Sequence, residues 1–214
     1  MEPSSRQRVR ITFGRGENTR YVGHLDMVRT WERIIHRAEL PIAYSEGFNP
    51  RPRLMFASAL PVGCTSDVEM LDVILSRPCD LAEARGRLDR AVPAGIWVVD
   101  VAEIPYSTPA LQTQTRSSEF SVTLPRDVPL EDAQARVRAL LDAPSIERTR
   151  RDKVYDLRPL ILDAWVELAE NGGFRVGLLL KTEEAGTGRP HEVIAALGWD
   201  ATAVRIHRRS LNLA

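Results

Sequence analysis

Cysteine is scarce in this chain: Cys64 and Cys79 are the only two in 214 residues. Neither lies in a CxxC pair or at ligand spacing from a histidine, so neither a disulfide framework nor a zinc site is indicated. Also missing are the GxxxxGK[ST] phosphate loop, GxGxxG and HExxH, which removes the usual parts of nucleotide hydrolysis, dinucleotide redox chemistry and zinc hydrolysis. No apolar run approaches the length of a membrane helix, and the opening MEPSSRQRVR has no hydrophobic stretch behind its charges. The expectation is a soluble cytoplasmic protein without a metal or cofactor of its own. Lysine is nearly absent, with only Lys153 and Lys181 beside 27 arginines. The planar guanidinium suits phosphate and base recognition, although a GC-rich genome gives the same bias for free.

What is present is balanced charge, unevenly placed. The chain is neutral at pH 7, yet residues 1–60 hold ten arginines and six acids, residues 61–110 four arginines and eight acids, and the remainder fifteen of each sign. One end is basic. The length allows one large domain or two small ones, with ample chain for a buried core.

Residues 8–13 alternate, Val9, Ile11 and Phe13 against Arg8, Arg10 and Thr12, which predicts a half-exposed strand. Gly14 to Asn18 reads as a loop. From His24 to Glu39 the apolar positions Leu25, Val28, Trp31, Ile35 and Ala38 recur every three or four residues, with Ile34 widening the stripe, so a helix with one buried face is expected. Its solvent face carries Arg29, Arg33, His36 and Arg37. Short extended pieces at Ile42, Tyr44 and 54–57, a strand at 68–75, a helix at 81–92 and a strand at 96–102 complete the order strand, helix, strand, strand, helix, strand of a ferredoxin-like unit.

Residues 105–117 are rich in Ser, Thr, Gln and Pro and read as a linker. The same order then recurs: a strand at 120–124, a helix at 129–141, strand character at 146–150 and 161–168, a Gly172-Gly173 turn, a strand at 174–180, a helix at 190–197 and a last strand at 204–208. The expected fold class is α+β, two tandem ferredoxin-like (βαββαβ) units at 1–104 and 118–214. This architecture is shared with CRISPR repeat-processing endoribonucleases and tandem RNA-recognition domains, a likeness at fold level.

The least generic stretch is 41–63, PIAYSEGFNPRPRLMFASALPVG. Pro50 and Pro52 fix their own φ and push Asn49 and Arg51 toward extended backbone, and Gly47 supplies a turn. A stiff loop thus presents Tyr44, Phe48, Arg51 and Arg53 together, and stiffness lowers the ordering cost of binding. Tyr44 and Phe48 have the faces to stack bases; as anchors of a tight loop they need no ligand, and for Phe48 the core role is preferred. Asn49 has an edge to read a base or an Asx turn to form. His24, in the first helical turn, sits where the helix dipole favours its neutral form, beside free N–H groups; a base, a phosphate contact and a local cap are all open to it.

Glu69 and Asp72, three apart on a strand, face opposite sides and do not form an acid–base pair. Arg158, in Asp156-Leu157-Arg158-Pro159, reads as an ion-pair bridge between the units. Arg205, His207 and Arg209 share one strand face, either a phosphate track or a charged edge.

The run Gly23-His24-Leu25-Asp26, Leu40-Pro41, Ala43-Tyr44-Ser45, Gly47-Phe48-Asn49-Pro50, Pro52, Leu60-Pro61, Gly63, Ser66, Glu69 and Leu71-Asp72 resembles the radical-SAM-linked domain of uncharacterised function. That domain occurs as a separate chain or behind a radical S-adenosylmethionine domain. The strong likeness spans residues 8–75, with a weaker echo at 156–159. It implies a radical S-adenosylmethionine enzyme as partner in trans, since this chain has no CxxxCxxC for the cluster.

The reading that results is a non-catalytic RNA-binding module presenting tRNA or rRNA to that enzyme, with His24, Arg29, Arg33, Tyr44, Asn49, Arg51 and Arg53 on the RNA and Gly47, Phe48, Pro50 and Pro52 holding the loop. One alternative is a metal-independent endoribonuclease using His24 or His36 as base, with Tyr44 or an arginine on the phosphorane. Another is a protein-interaction scaffold that touches no nucleic acid.

Overall fold

The computed structural model describes residues 6–125, 127–169, 173–183 and 186–214. The chain is mixed α/β, mostly antiparallel in its sheet pairing, with five α-helices among the described residues. It divides into two compact units, Met1–Gln114 and Thr115–Ala214. The boundary falls inside the segment 105–117, which composition reads as a linker. No helix among the described residues is long and apolar enough to cross a membrane.

The first unit runs β1 (Gln7–Arg15), α1 (His24–Arg37), β2 (Leu54–Phe56), β3 (Cys64–Leu75), α2 (Leu81–Ala91), β4 (Ile96–Ile104) and the short α3 (Leu111–Gln114). β1 lies between β3 and β4, antiparallel to both, and β2 pairs antiparallel with β3. The core forms where Val9, Ile11, Phe13, Leu71 and Val73 meet Trp31, Ile35 and Leu88 from the two helices. α1 ends because Glu39 takes a left-handed φ of 52°, and the Leu40 N–H then reaches back to the Ile35 carbonyl at 3.2 Å, closing the orphaned carbonyls of the last turn. α2 starts on Asp80, whose carboxylate accepts the Glu83 N–H at 2.8 Å, a side-chain cap for the first turn.

The second unit runs β5 (Thr115–Thr123), α4 (Leu130–Asp142), a ribbon of β6 (Glu147–Arg150) and β7 (Lys153–Asp156), β8 (Ile161–Leu168), β9 (Phe174–Glu183), β10 (Gly186–Thr187), α5 (Pro190–Ala196) and β11 (Arg205–Leu213). β9 and β11 flank β5, and β8 and β10 pair with β9, all antiparallel. Phe120, Val137, Leu178, Ile194 and Ile206 are among its buried residues.

Each unit uses one tryptophan in the same way. Trp97 on β4 lies across Gly14 on β1, and Trp165 on β8 across Gly177 on β9; a Cβ at either glycine would sit 2.1 Å from the indole. Each pair is in direct cross-strand register, so the ring covers backbone that a side chain would otherwise shield.

Several sequence expectations change here. Leu25 is not on the buried stripe of α1 but is exposed, and Met27 takes its place; the stripe Met27, Trp31, Ile34, Ile35, Ala38 still fits a helical period. β1 continues to Arg15 instead of ending at Phe13, and a 3-10 turn at Glu17–Thr19 follows. β1 is also not half exposed: Arg8 is buried. Its Nε and Nη2 donate to Asp72 Oδ2 at 3.0 and 2.6 Å, while Nη1 donates to the Thr108 carbonyl and Nη2 to that of Pro109 at 2.8 Å. Residues 108 and 109 thereby close over one face of β1, which alternation within β1 cannot report.

Glu69 and Asp72 do occupy opposite faces, since Glu69 is opposite Phe13 and Asp72 opposite Arg10 in register, yet both are buried. Among the described residues Arg158 enters no ion pair. It donates to the Leu141 carbonyl at 3.2 and 2.9 Å and to that of Ile161 at 2.9 Å, all within its own unit, and so caps the end of α4. Arg209 is held by Glu167 at 2.5 Å and Glu119 at 3.8 Å, and Arg208 is buried over the Phe120 ring, so this stretch is not an open phosphate track. Gly172 lies outside the described residues, although the Ala169 N–H to Gly173 carbonyl bond at 2.8 Å joins the strands on either side.

Candidate nucleic-acid interface

The proline-rich loop is a hairpin standing on β3. Ala43 donates to the Ile74 carbonyl at 2.8 Å, Ile74 to that of Arg53 at 3.1 Å, and Arg53 to that of Ala43 at 2.9 Å, which fixes the base. Tyr44 bridges Pro52, and above them the Ser45 N–H reaches the Arg51 carbonyl at 2.8 Å while Arg51 N–H reaches Ser45 Oγ at 3.0 Å. The tip turns at Gly47, whose φ of 116° disfavours any side chain.

Phe48 is 106% exposed. The core role preferred for it on sequence is therefore wrong: the hairpin lifts the ring off the unit, and its own backbone bonds hold the loop. Tyr44 is half exposed, and Asn49, Arg51 and Arg53 are exposed beside it. The arm thus offers two aromatic faces and two guanidinium groups on a backbone already ordered, the combination that stacks bases and neutralises phosphates.

Two residues that sequence reasoning passed over join this cluster. Arg53 Nη1 approaches the Tyr106 hydroxyl at 3.4 Å, and the Arg6 guanidinium hydrogen-bonds the same phenol, holding its pKa below the usual value, with Arg53 adding to the effect. β1 and β4 pair with Arg8 opposite Ile104, and the same register carried two residues past that pair sets Arg6 opposite Tyr106. The signal therefore existed only in the strand pairing, because 105–117 gave no periodicity to place Tyr106.

His24 opens α1, its ring edge-on to Phe56 at 5.4 Å between centroids. Phe56 contacts Phe13 at 6.4 Å, and Phe13 contacts Trp31 at 4.7 Å, so an aromatic chain ties the imidazole to the core. Burial depresses the His24 pKa, the Arg15 guanidinium adds to this, and the Glu69 carboxylate opposes both. An NMR titration should give a His24 midpoint below 6.5, and Glu69→Gln should lower it further. Because the folded value is depressed, the stability His24 contributes is present above its unfolded pKa and is lost as pH falls through the folded one.

The structure does not gather all the candidates in one place. Arg29, Arg33, His36 and Arg37 are exposed along α1, but Arg29 is paired with Asp26 at 3.2 Å, a surface contact worth little. Arg37 donates to the Ala91 carbonyl at 3.1 Å, at a cleft of about 430 Å³ that Glu39, Glu83, Arg87 and Arg90 also line. His24 and His36 stand twelve residues apart on one helix, roughly 18 Å at 1.5 Å per residue, so they do not act on one phosphate together. Among the described residues no three His, Cys, Asp or Glu side chains converge as metal ligands.

A family described as uncharacterised proteins conserved in bacteria, DUF2344, matches residues 8–190. The chain belongs to this family. The match runs from the first unit into the second, well beyond the 8–75 stretch that carries the motifs of the hairpin and of α1, and stops before β11. No curated protein matches the sequence. Among solved structures the chain is similar to one in a crystal structure of a Cbf5-Nop10-Gar1 complex, at 10% identity and a TM-score of 0.47, over 96% of this chain and 48% of that one. The chain thus spans about half the length of that solved chain.

Proposed function

We propose that this family member is a non-catalytic RNA-binding accessory protein that presents tRNA or rRNA to a separate radical S-adenosylmethionine enzyme for modification. One observation carries the RNA part: the 44–53 hairpin holds Phe48 wholly in solvent with Tyr44, Arg51 and Arg53 exposed around it. A ring held in solvent on a braced backbone is available to stack on a base at little ordering cost. The Arg6–Tyr106–Arg53 group extends the cationic, aromatic surface beyond the hairpin. The enzyme partner rests on the motif resemblance at residues 8–75 and on the missing cluster cysteines. The strand orders β4-β1-β3-β2 and β11-β5-β9-β8, each with two crossover helices, support reading both units as ferredoxin-like, an architecture that hosts RNA binding among many other functions.

Binding to labelled total tRNA and rRNA fragments across a salt series in EDTA tests this, followed by a gel for RNA integrity. Tight binding to intact RNA is expected, and Arg51→Ala with Arg53→Ala should lower the slope of log affinity against log salt by about 1.4, at ~0.7 per phosphate contact on single strands. An unchanged affinity and slope in the double variant would remove the hairpin from the interface. No binding by the wild type would leave a protein-interaction scaffold.

The depressed pKa of His24 favours one second reading, a metal-independent endoribonuclease with a neutral imidazole as base. Its mark is cleavage that persists in EDTA and disappears in His24→Ala.

A further inference from the structure

The β6–β7 ribbon is separate in sequence from the hairpin interface and belongs to the second unit. It is a two-stranded sheet of its own, inserted between α4 and β8, and its register sets Glu147 opposite Asp156, Arg148 opposite Tyr155, Thr149 opposite Val154 and Arg150 opposite Lys153. Side chains alternate between faces in a strand. Arg148, Arg150, Lys153 and Tyr155 therefore share one face, and Glu147, Thr149, Val154 and Asp156 share the other. Charge is sorted by face: every strand cation is on one side and both strand acids are on the other.

The ribbon is also built to hold its shape. Arg151 and Asp152 form a two-residue turn with φ values of 46° and 64°, the type that matches strand twist. At the base, the Asp156 carboxylate accepts the Ile146 N–H at 2.7 Å and the Arg158 N–H at 3.0 Å, and Leu157 N–H reaches the Ile146 carbonyl at 2.8 Å. The Tyr155 hydroxyl donates to Glu192 on α5. Burial and the Glu192 carboxylate push the Tyr155 pKa up to about 12, against the pull of Arg189 and Arg150 nearby, so the tyrosine stays a neutral donor.

Opposite charges directly across a ribbon stabilise it. Here Arg150 and Lys153 are direct cross-strand neighbours of like sign, which by itself destabilises a hairpin, and at the turn Arg151 adds a third exposed cation beside one exposed acid, Asp152, so the end stays cationic. A polyanion along that face converts the repulsion into attraction. Arg148 and Tyr155, at the base of this face, are half-buried. We propose that its exposed end, Arg150 and Lys153 with Arg151 at the tip, is a second RNA-contacting surface that grips the phosphate backbone without reading sequence. This rests on the RNA-binding reading above and assigns to the second unit a part in it.

The test uses the full chain and a labelled single-stranded RNA of mixed sequence, with affinity followed across a salt series. In Arg150→Gln/Arg151→Gln/Lys153→Gln the slope of log affinity against log salt should fall by about 2, at ~0.7 per phosphate contact, by the same amount for unrelated RNA sequences. Thermal stability should hold or rise, because a like-charge pair has been removed. Arg150→Lys/Arg151→Lys, which keeps the charge, should keep the wild-type slope. A triple variant with the wild-type slope, while the Arg51/Arg53 double variant loses its share, overturns the ribbon surface and leaves the hairpin interface standing. An Arg-to-Lys variant that loses as much slope as the triple variant overturns the phosphate grip. A wild-type chain that shows no salt-dependent RNA binding overturns both readings together.

Discussion

Asp72→Ala should destabilise the protein by about 3–5 kcal/mol, the cost of leaving buried charge without its partner. Asp72 is fully buried in the middle of β3, and its two oxygens accept from both Arg8 and Arg10: Arg8 Nη2 at 2.6 Å, Arg8 Nε at 3.0 Å, Arg10 Nε at 2.8 Å and Arg10 Nη2 at 3.1 Å. Removing the carboxylate strands a guanidinium at 4% exposure and another at 16%. Denaturant unfolding should show the loss as a lower midpoint with an unchanged slope, and the melting temperature should drop by on the order of 10 °C. Arg8 also fastens residues 108 and 109 over β1, so faster proteolysis near Thr108 is a second expected readout. Replacing Arg8 and Asp72 together by apolar residues of similar volume should recover part of the stability, since a buried ion pair and a packed apolar pair are often comparable. A loss under about 1 kcal/mol for Asp72→Ala would mean that water reaches the three charges and that they behave as a surface network.

The second large effect belongs to Trp31. Its side chain is fully buried on α1 and packs edge-on against Phe13 at 4.7 Å. Trp31→Ala removes most of that buried surface and leaves a cavity, a loss of about 3–5 kcal/mol. The consequence should reach the interface, because Phe13 supports Phe56 and Phe56 supports His24. Loosening this chain should let water reach the imidazole and move the His24 titration midpoint back toward 6.5, its ordinary value. The indole N–H has no acceptor among the described residues, so Trp31→Phe deletes an unsatisfied donor along with some volume and should cost clearly less than Trp31→Ala. Equal losses in the two variants would show that ring packing is not what holds the helix.

The hairpin shows how far local reasoning reaches. Pro50, Pro52 and Gly47 announce a stiff turn from chain chemistry alone, and the backbone bonds around Tyr44, Ser45 and Arg51 form such a turn. Phe48 reads as a core residue by type, and only the position of the hairpin relative to β3 puts it in solvent. Leu25 fails for a related reason: it satisfies the helical spacing, but it lies exposed in the first turn, and the buried stripe begins at Met27.

Local sequence determined the features set by a short period or by one residue's own backbone: α1 with its Trp31 and Ile35 face, the central strands β1 and β9, the rigid 44–53 turn, and the absence of familiar catalytic motifs. Only the tertiary structure decided which distant side chains meet. Arg8 and Arg10 converge on Asp72, Arg6 and Arg53 on Tyr106, and the cations of the β6–β7 ribbon gather on one face. Those meetings follow from strand register, where a shift of a single residue sends every side chain to the opposite face, and register is fixed by packing across the whole unit and not by any stretch of chain read alone.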